Sequence, residues 1–367
     1  MTSQILKPGW KIVKFGEVVK NANLVERDPA ANGIERVVGL DHIDPENLHI
    51  RRWNAPEDGT SFTRKFIPGQ TLFGKRRAYQ RKVAYAEFEG ICSGDILTFE
   101  SKNNKILLPE LLPFICQSDR FFEYALGTSA GSLSPRTSWT ALKDFEFPLP
   151  PLEDQKCIAE ILWAADEAVE RYRSSARAIT EIFDAIMREN FSKVHNAKFR
   201  DVVSLASGKS KTKKHLFDYS AKNPIPVYGG NGITGYTNQE LVRGPVVIVG
   251  RVGEYCGAVH LSENDCWVTD NAIYTKEHSS NIDIDYLYYA LIHANLNSQK
   301  RIAGQPLINQ DIVGLSTLFL PSLDEQKQVV SLLVKIKQRR LEIEDHISCI
   351  ISMFINFGNN SFEIGST

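Results

Sequence analysis

The sequence predicts an α+β protein with two tandem domains joined by two long antiparallel helices, and three observations predict it. The stretch "PLPPLEDQKCIAEIL", from Pro148, returns as "FLPSLDEQKQVVSLL", from Phe319, 171 positions later. Strand-like runs precede a long helical run in both halves. Each helical run carries apolar residues at alternating spacings of four and three, the seam on which helices pack side by side. A period this long is a domain duplication rather than a solenoid.

Length and composition agree with this plan. At 367 residues there is room for two domains of ordinary size. Hydrophobic content of 43% and charged content of 24% exclude a disordered or fibrous chain. No apolar run approaches the ~18 residues of a membrane helix. The opening "MTSQILKPGWKIVKF" lacks the apolar core of a signal peptide, so a cytoplasmic location is expected. The six cysteines form no CxxC pair and the eight histidines lie far apart, so neither a metal site nor a disulfide framework is expected.

Taken in order, the elements repeat. "VKFGEVV" around Phe15 matches "AKFRDVV" around Phe199, an offset of 184. "GKRRAYQRKVAY" from Gly74 aligns with "GRVGEYCGAVHL" from Gly250, which sets Tyr79 over Tyr255 and Val83 over Val259 at an offset of 176. "SGDILTF" then matches "VTDNAIY", with Asp95 near Asp270. Helical segments follow, "PELLPFICQSDRFFEYAL" in one copy and "DYLYYALIHANL" in the other. The shrinking offset means that copy two has shorter loops.

The first seam runs through Ile158, Leu162, Ala165, Val169, Tyr172, Ala176, Ile179, Phe183 and Ile186. Its counterpart runs through Val329, Leu333, Ile336, Arg340, Ile343, Ile347, Ile350 and Phe354, with only Arg340 breaking the apolar row. Each seam is the natural partner of the other; two helices lying separately on their own domains is the plainer reading. Ser322 and Glu325 spell a capping box for the second helix, and Pro150 and Pro321 stop the chain ahead of each. A helix of ~30 residues spans ~45 Å.

Several motifs invite an enzymatic reading and none sustains it. "GGNGITG", from Gly229, contains G-x-G-x-x-G but leads into a turn and strand, whereas a dinucleotide site needs it to open a helix. "NPIP" and "LPPL" lack the full acid-or-amide, double-proline, aromatic set of amino-methyltransferases and predict rigid turns. Asp95, Glu100 and Lys102 sketch a nuclease triplet that has no equivalent in copy two.

The basic runs carry more. Between Arg64 and Lys82 lie seven bases and no acid: Arg64, Lys65, Lys75, Arg76, Arg77, Arg81 and Lys82, interleaved with Tyr79 and Gln80. Such side chains suit phosphates and base edges. Copy two offers Lys209, Lys211, Lys213 and Lys214 in "SGKSKTKKH", then Asn231, Tyr236 and Arg251 in or near glycine-rich loops, with Tyr255 opposite Tyr79. Arg136 and Gln305, in the segments ahead of the final strands, complete the candidate DNA contacts. A solvated charged face explains any one run; a run in each copy favours nucleic acid. The start of the first long helix is acidic, with Glu153, Asp154, Glu160, Asp166, Glu167 and Glu170 against Lys156 alone, a surface for a protein partner.

With the repeated "LPxL-[DE]-[DE]-Q-K" and its heptad helix, with "GQPLINQDIVGL" ahead of the second copy and with "IPVYGGNGITGYT", the chain resembles the specificity subunit of type I restriction-modification enzymes over almost its whole length. The resemblance implies target-recognition domains at 1–150 and 196–321 and conserved helical spacers at 151–195 and 322–367. It implies double-stranded DNA as ligand, each domain reading half of a bipartite site, and two methyltransferase subunits docked on the helices. S-adenosylmethionine would sit on those partners and no cofactor on this chain, with restriction subunits an optional addition that the sequence does not decide. No catalytic residue and no metal is expected here. Copy one departs from the family lead-in with "SAGSLSPRTSW", and Arg340 interrupts the second seam. Loops that differ on equal scaffolds imply unequal half-sites. Two other classes stay open: a DNA methyltransferase or nuclease working alone, and a coiled-coil adaptor that never touches DNA.

Overall fold

Phe15 and Phe199, matched in sequence, each open a one-turn helix, Phe15–Val18 and Phe199–Val202, with both rings fully buried. Each turn is capped alike. The Lys14 N–H donates to Glu17 Oε2 at 3.1 Å, and the Lys198 N–H to Asp201 Oδ2 at 3.0 Å. The computed structural model describes residues 7–300 and 306–362. It divides into two units: residues up to Tyr172 together with those from Asp345 onward, and Arg173–Glu344.

In unit 1, strands Val19–Asn21, Ile96–Ser101, Thr71–Gly74 and Val83–Tyr85 form one sheet in that spatial order. A second sheet orders Leu24–Val25, Arg64–Phe66, Gly90–Cys92 and Val37–Val38, the last pair parallel. Lys11–Lys14 pairs antiparallel with Glu146–Leu149. The core is aromatic: Phe15 meets Phe121 at 5.0 Å between ring centroids, and Phe121 meets Phe73 at 5.3 Å.

Unit 2 repeats the plan. Strands Val203–Ser207, Ala272–His278, Val246–Gly250 and Val259–Ser262 take the same spatial order as their counterparts. Ile225–Gly229 and Gly232–Thr237 form a hairpin, with Trp267–Val268 parallel on its other side. "GGNGITG" is therefore a hairpin turn, the geometry its sequence context predicts. Ala197–Lys198 pairs with Thr317–Leu318, as Lys11–Lys14 does with Glu146–Leu149.

The repeated Gln-Lys motif has a structural purpose. Gln155 and Gln326 are 1% and 0% exposed. Gln155 accepts from the Leu108 N–H at 2.9 Å and donates to the carbonyls of Ile106 and Pro150. Gln326 accepts from the Asp283 N–H at 2.8 Å and donates to the carbonyls of Asn281 and Pro321. Each amide satisfies three backbone groups that burial would leave unpaired, and it ties the start of a long helix to a loop of the domain before it.

The long helices are Leu152–Phe191 and Leu323–Phe362, 40 residues each, longer than the heptad count suggested. Ser322 and Glu325 form the expected capping box: Glu325 Oε2 accepts from the Ser322 N–H at 3.0 Å, and Ser322 Oγ accepts from the Glu325 N–H at 3.4 Å. In unit 1, Ile158 and Leu162 are buried in the domain core, Phe354 of the second helix packs against the same cluster, and Phe354 meets Phe114 at 5.6 Å. Tyr172 stacks on His346 at 5.6 Å, so the two helices touch directly there. In unit 2, Met187, Phe191, Val330 and Leu333 share one core, with Phe183, Ile186 and Val329 against it. The first half of one helix thus shares a unit with the second half of the other, which makes the pair antiparallel. Val169 and Ile343 are buried as well, while Ile179, Ile336 and Ile350 are half-buried. The two sequence readings merge: the seams serve both the partner helix and the domain cores. Arg340 leaves the seam, exposed and paired with Glu344 at 2.8 Å.

Candidate nucleic-acid interface

The loop between Gly74 and Val83 is anchored by backbone bonds. The Lys75 N–H donates to the Asp95 carbonyl at 2.9 Å, the Thr137 N–H to the Lys75 carbonyl at 3.0 Å, and the Arg77 N–H to the Pro135 carbonyl at 2.8 Å. Unit 2 has the same three bonds: Arg251 to Asn271 at 3.0 Å, Ile308 to Arg251 at 2.8 Å, and Gly253 to Pro306 at 3.2 Å. Isolated bridges Arg76–Arg136 and Val252–Leu307 match too. Two left-handed positions recur, Arg77 (φ 54°) with Gly253 (φ 86°), and Arg81 (φ 52°) with Gly257 (φ 90°). One correction follows: the structural partner of Asp95 is Asn271, not Asp270. From Pro135 to Ser138 the departing segment "SAGSLSPRTSW" makes the same backbone bonds as residues 306–309 in copy two, down to the helix caps. Ser138 Oγ accepts from the Ala141 N–H and Asn309 Oδ1 from the Ile312 N–H.

Side chains on these equal frames differ. In unit 1, Asp95 accepts from Arg136 Nε at 2.9 Å and lies 3.5 Å from Arg76 Nη1. Arg76 and Arg77 both donate to Ser134 Oγ, at 3.1 and 3.4 Å. Burial alone would raise the Asp95 carboxyl, but the Arg136 hydrogen bond and the charges of Arg136, Arg76 and Lys75 outweigh it and hold it below the usual range. Burial, then the charge of Arg64, lowers Lys75. Tyr79 stands exposed at 54% and Gln80 is half-buried.

Two residues of the predicted patch turn inward. Arg81 pairs with Asp119 at 2.7 Å, donates to the Gln117 carbonyl at 3.0 Å and lies over the Phe122 ring at 4.6 Å. A non-glycine residue at positive φ is strained, and these contacts hold it there. Lys82 Nζ donates to the Leu40 carbonyl at 2.6 Å. Of the other bases, Lys65 pairs with Glu89 at 3.2 Å and Arg64 donates to the Ile96 carbonyl. The cationic groups of the patch that do not turn inward are Lys75, Arg76 and Arg77, with Arg136 beside them, and Arg76 and Arg136 share Asp95.

In unit 2, Arg251 Nη1 donates to Ser207 Oγ at 3.4 Å, and Tyr255 is 59% exposed. A Cβ on Gly230 would lie 3.2 Å from the Asn271 carbonyl, so the hairpin carrying exposed Asn231 abuts this loop. The segment after Ser207 joins the same edge, since the Lys209 N–H donates to the Val268 carbonyl at 2.9 Å. Lys211 caps Trp267 at 3.6 Å from its ring centroid and donates to Gln239 Oε1 at 3.3 Å. Lys209, Lys213 and Lys214 are exposed. Tyr236 is half-buried in an edge-on pair with Tyr219 at 5.3 Å. Gln305 lies outside the described residues.

The nuclease-like triplet does not converge. Asp95 serves the arginines, Glu100 pairs with Lys20 and Gln70, and Lys102 Nζ donates to the Gly16 carbonyl. The acidic helix face is partly satisfied within unit 1. His49 bridges Asp166 at 2.8 Å and Glu87 at 2.9 Å, and Arg51 reaches Glu170 at 2.9 Å. The Asp166 hydrogen bond, opposed by burial and reinforced by the carboxylate charges, holds His49 above its usual range. Sequence reasoning missed this cluster, because the histidine stands 117 residues from Asp166.

The two units thus carry unequal side chains on equal backbones. A family model described as the type I restriction modification DNA specificity domain matches twice, over residues 9–176 and 192–350. The chain belongs to this specificity family. The specificity chain is 26% identical over 136 residues to the type I restriction enzyme EcoprrI specificity subunit of Escherichia coli, covering 37% of this chain and 34% of the relative. It is 28% identical over 173 residues to the EcoDI specificity subunit of Escherichia coli, covering 43% of this chain and 37% of the relative. It thus spans little over a third of these curated relatives. Its fold resembles a type I restriction-modification S subunit from M. genitalium, with TM-score 0.68, 14% identity and full coverage of both chains. It also resembles a chain from a structure concerned with complex assembly and conformational transition of the type I R-M system, with TM-score 0.55, 19% identity and 97% coverage of both.

Proposed function

We propose that this chain is the non-catalytic DNA-reading subunit of a type I restriction-modification enzyme. Each unit reads one half of an asymmetric bipartite site, and the long helices dock two methyltransferase subunits. Those subunits hold S-adenosylmethionine, and the same assembly has room for restriction subunits as an optional addition. The proposed setting is the cytoplasm, and no helix among the described residues is long and apolar enough to cross a membrane.

The observation that carries this reading is the pair of loops with one backbone and two sets of side chains. Arg76, Arg136 and Asp95 in unit 1 stand where unit 2 has Val252, Leu307 and Asn271. Arginine forks suit guanine edges, and apolar side chains suit the thymine methyl. Two different half-sites follow from two different chemistries. The likeness to named specificity subunits supports the same conclusion.

The deciding experiment is to map methylated adenines in cells carrying this chain with its modification partner. An asymmetric two-part site separated by unread base pairs is expected. A symmetric or continuous site rejects two unequal readers, and methylation or cleavage by the rigorously purified chain alone restores the enzymatic readings. Removing one heptad from both long helices shortens the unread gap if the helices set it; an unchanged gap removes them from that role.

A further inference from the structure

Among the loop positions aligned between Lys75–Val83 and Arg251–Val259, most side chains differ: Arg76 against Val252, Arg77 against Gly253, Ala78 against Glu254, Gln80 against Cys256. Only the tyrosine, the valine of the following strand and the basic character of the first residue persist. Val83 is buried and Val259 half-buried, so the valine is explained by packing. The tyrosine is not. Tyr79 and Tyr255 are 54% and 59% exposed, and among the described residues neither phenol has a hydrogen-bond partner and neither ring has a ring partner. Both sit between the two left-handed positions that fix the loop, so the backbone presents them alike.

A half-exposed phenol kept in both copies, while its neighbours diverge, addresses something the two half-sites have in common. Base edges differ between unequal half-sites; the sugar-phosphate backbone does not. We infer that Tyr79 and Tyr255 are equivalent backbone contacts, each phenol Oη donating a hydrogen bond to a phosphate oxygen of its half-site. Tyrosine hydroxyls serve DNA phosphates in this way, fixing register without reading sequence. The basic residue four positions earlier, Lys75 or Arg251, supplies the favourable potential. That charge favours DNA over a protein partner at this loop. This inference rests on the DNA-reading function proposed above.

The test uses the full chain assembled with its methyltransferase subunits and a library of duplexes randomised across the bipartite site. Y79F and Y255F keep the ring and remove the donor. Each is expected to weaken binding of every duplex by about fivefold, the scale of one lost hydrogen bond, while selecting the same sequence as the wild type. The loss should shrink on a duplex whose contacted phosphate is replaced by a neutral methylphosphonate, which has one acceptor oxygen fewer and no charge. A changed preference at any base position overturns the inference in favour of base reading. Unchanged DNA affinity overturns it too, and weakened assembly alongside marks the tyrosines as subunit contacts. A wild-type complex that selects no sequence at all defeats the underlying DNA-reading proposal, and it does so before any variant is compared.

Discussion

The loops at Lys75–Lys82 and Arg251–Ala258 differ in how they hold their shape. Unit 2 takes its left-handed turns with glycines, and a Cβ on Gly257 would come within 2.6 Å of the Asn297 nitrogen. Unit 1 takes the same turns with Arg77 and Arg81, and stabilises the second through Asp119, Gln117 and Phe122. A backbone fixed by bonds to neighbouring strands tolerates either solution. The difference teaches that the frame is independent of the side chains it displays, which is what exchangeable specificity requires.

The largest test of that independence is to give unit 1 the chemistry of unit 2. The R76V/D95N/R136L variant should lose methylation at the original sites by about a hundredfold, since each arginine–guanine fork is worth about 1–3 kcal/mol. Its second half-site should be unchanged, and the salt dependence of DNA binding should flatten by about one to two charges. Loss of both half-sites in the methylation map would mean the two loops do not act separately.

A smaller effect sharpens the likeness of the two glutamine clamps. Gln155→Ala and Gln326→Ala each leave three backbone groups unpaired in a buried setting, at a cost of about 2 kcal/mol. Denaturant unfolding should show similar losses. Hydrogen exchange should place them separately, at the Leu108 amide for the first and the Asp283 amide for the second. Unequal losses would break the equivalence.

The two long helices also start differently. Ser322 caps the second long helix, whereas Pro151 occupies the corresponding place ahead of the first. Ser322→Ala should cost about 1 kcal/mol in unfolding experiments, and Pro151→Ser should return a comparable cap to the first helix.

The smallest expected effect belongs to unit 1 alone. The Asp166 hydrogen bond, against burial and with the charges of Asp166 and Glu87, raises the His49 pKa on folding. Its contribution is fully present below the unfolded value of about 6.5 and is lost as pH rises through the folded value. His49→Gln should therefore destabilise the protein more at pH 6 than at pH 9, by under about 1 kcal/mol for a partly exposed pair. Equal losses at both pH values would show that the histidine acts by packing.

Much of this was legible because duplication writes each constraint twice. The Gln-Lys motif, the capping box and the Tyr79–Tyr255 alignment are local and recur at steady offsets. Matching acid to acid sets Asp95 beside Asp270, whereas the backbone bonds place Asn271 there, one residue on. Arg81 and Lys82 looked like surface charge, since their partners Asp119 and the Leu40 carbonyl are 38 and 42 residues away. Composition locates charge along the chain, but only folding decides which guanidinium groups are already occupied.

Unit 1 draws on the beginning of the chain and on residues from Asp345 onward, and the later segment contributes Phe354 against Phe114 and Asn359 bonded to Asp119 at 3.0 Å. During synthesis, the apolar ledge at Phe114 therefore stays uncovered until the Leu323–Phe362 helix has been made. Unit 2, whose parts emerge consecutively, is free to close first. Translation order and completion order run in opposite directions, so a chain terminated just before Asp345 holds all of unit 2 and only part of unit 1.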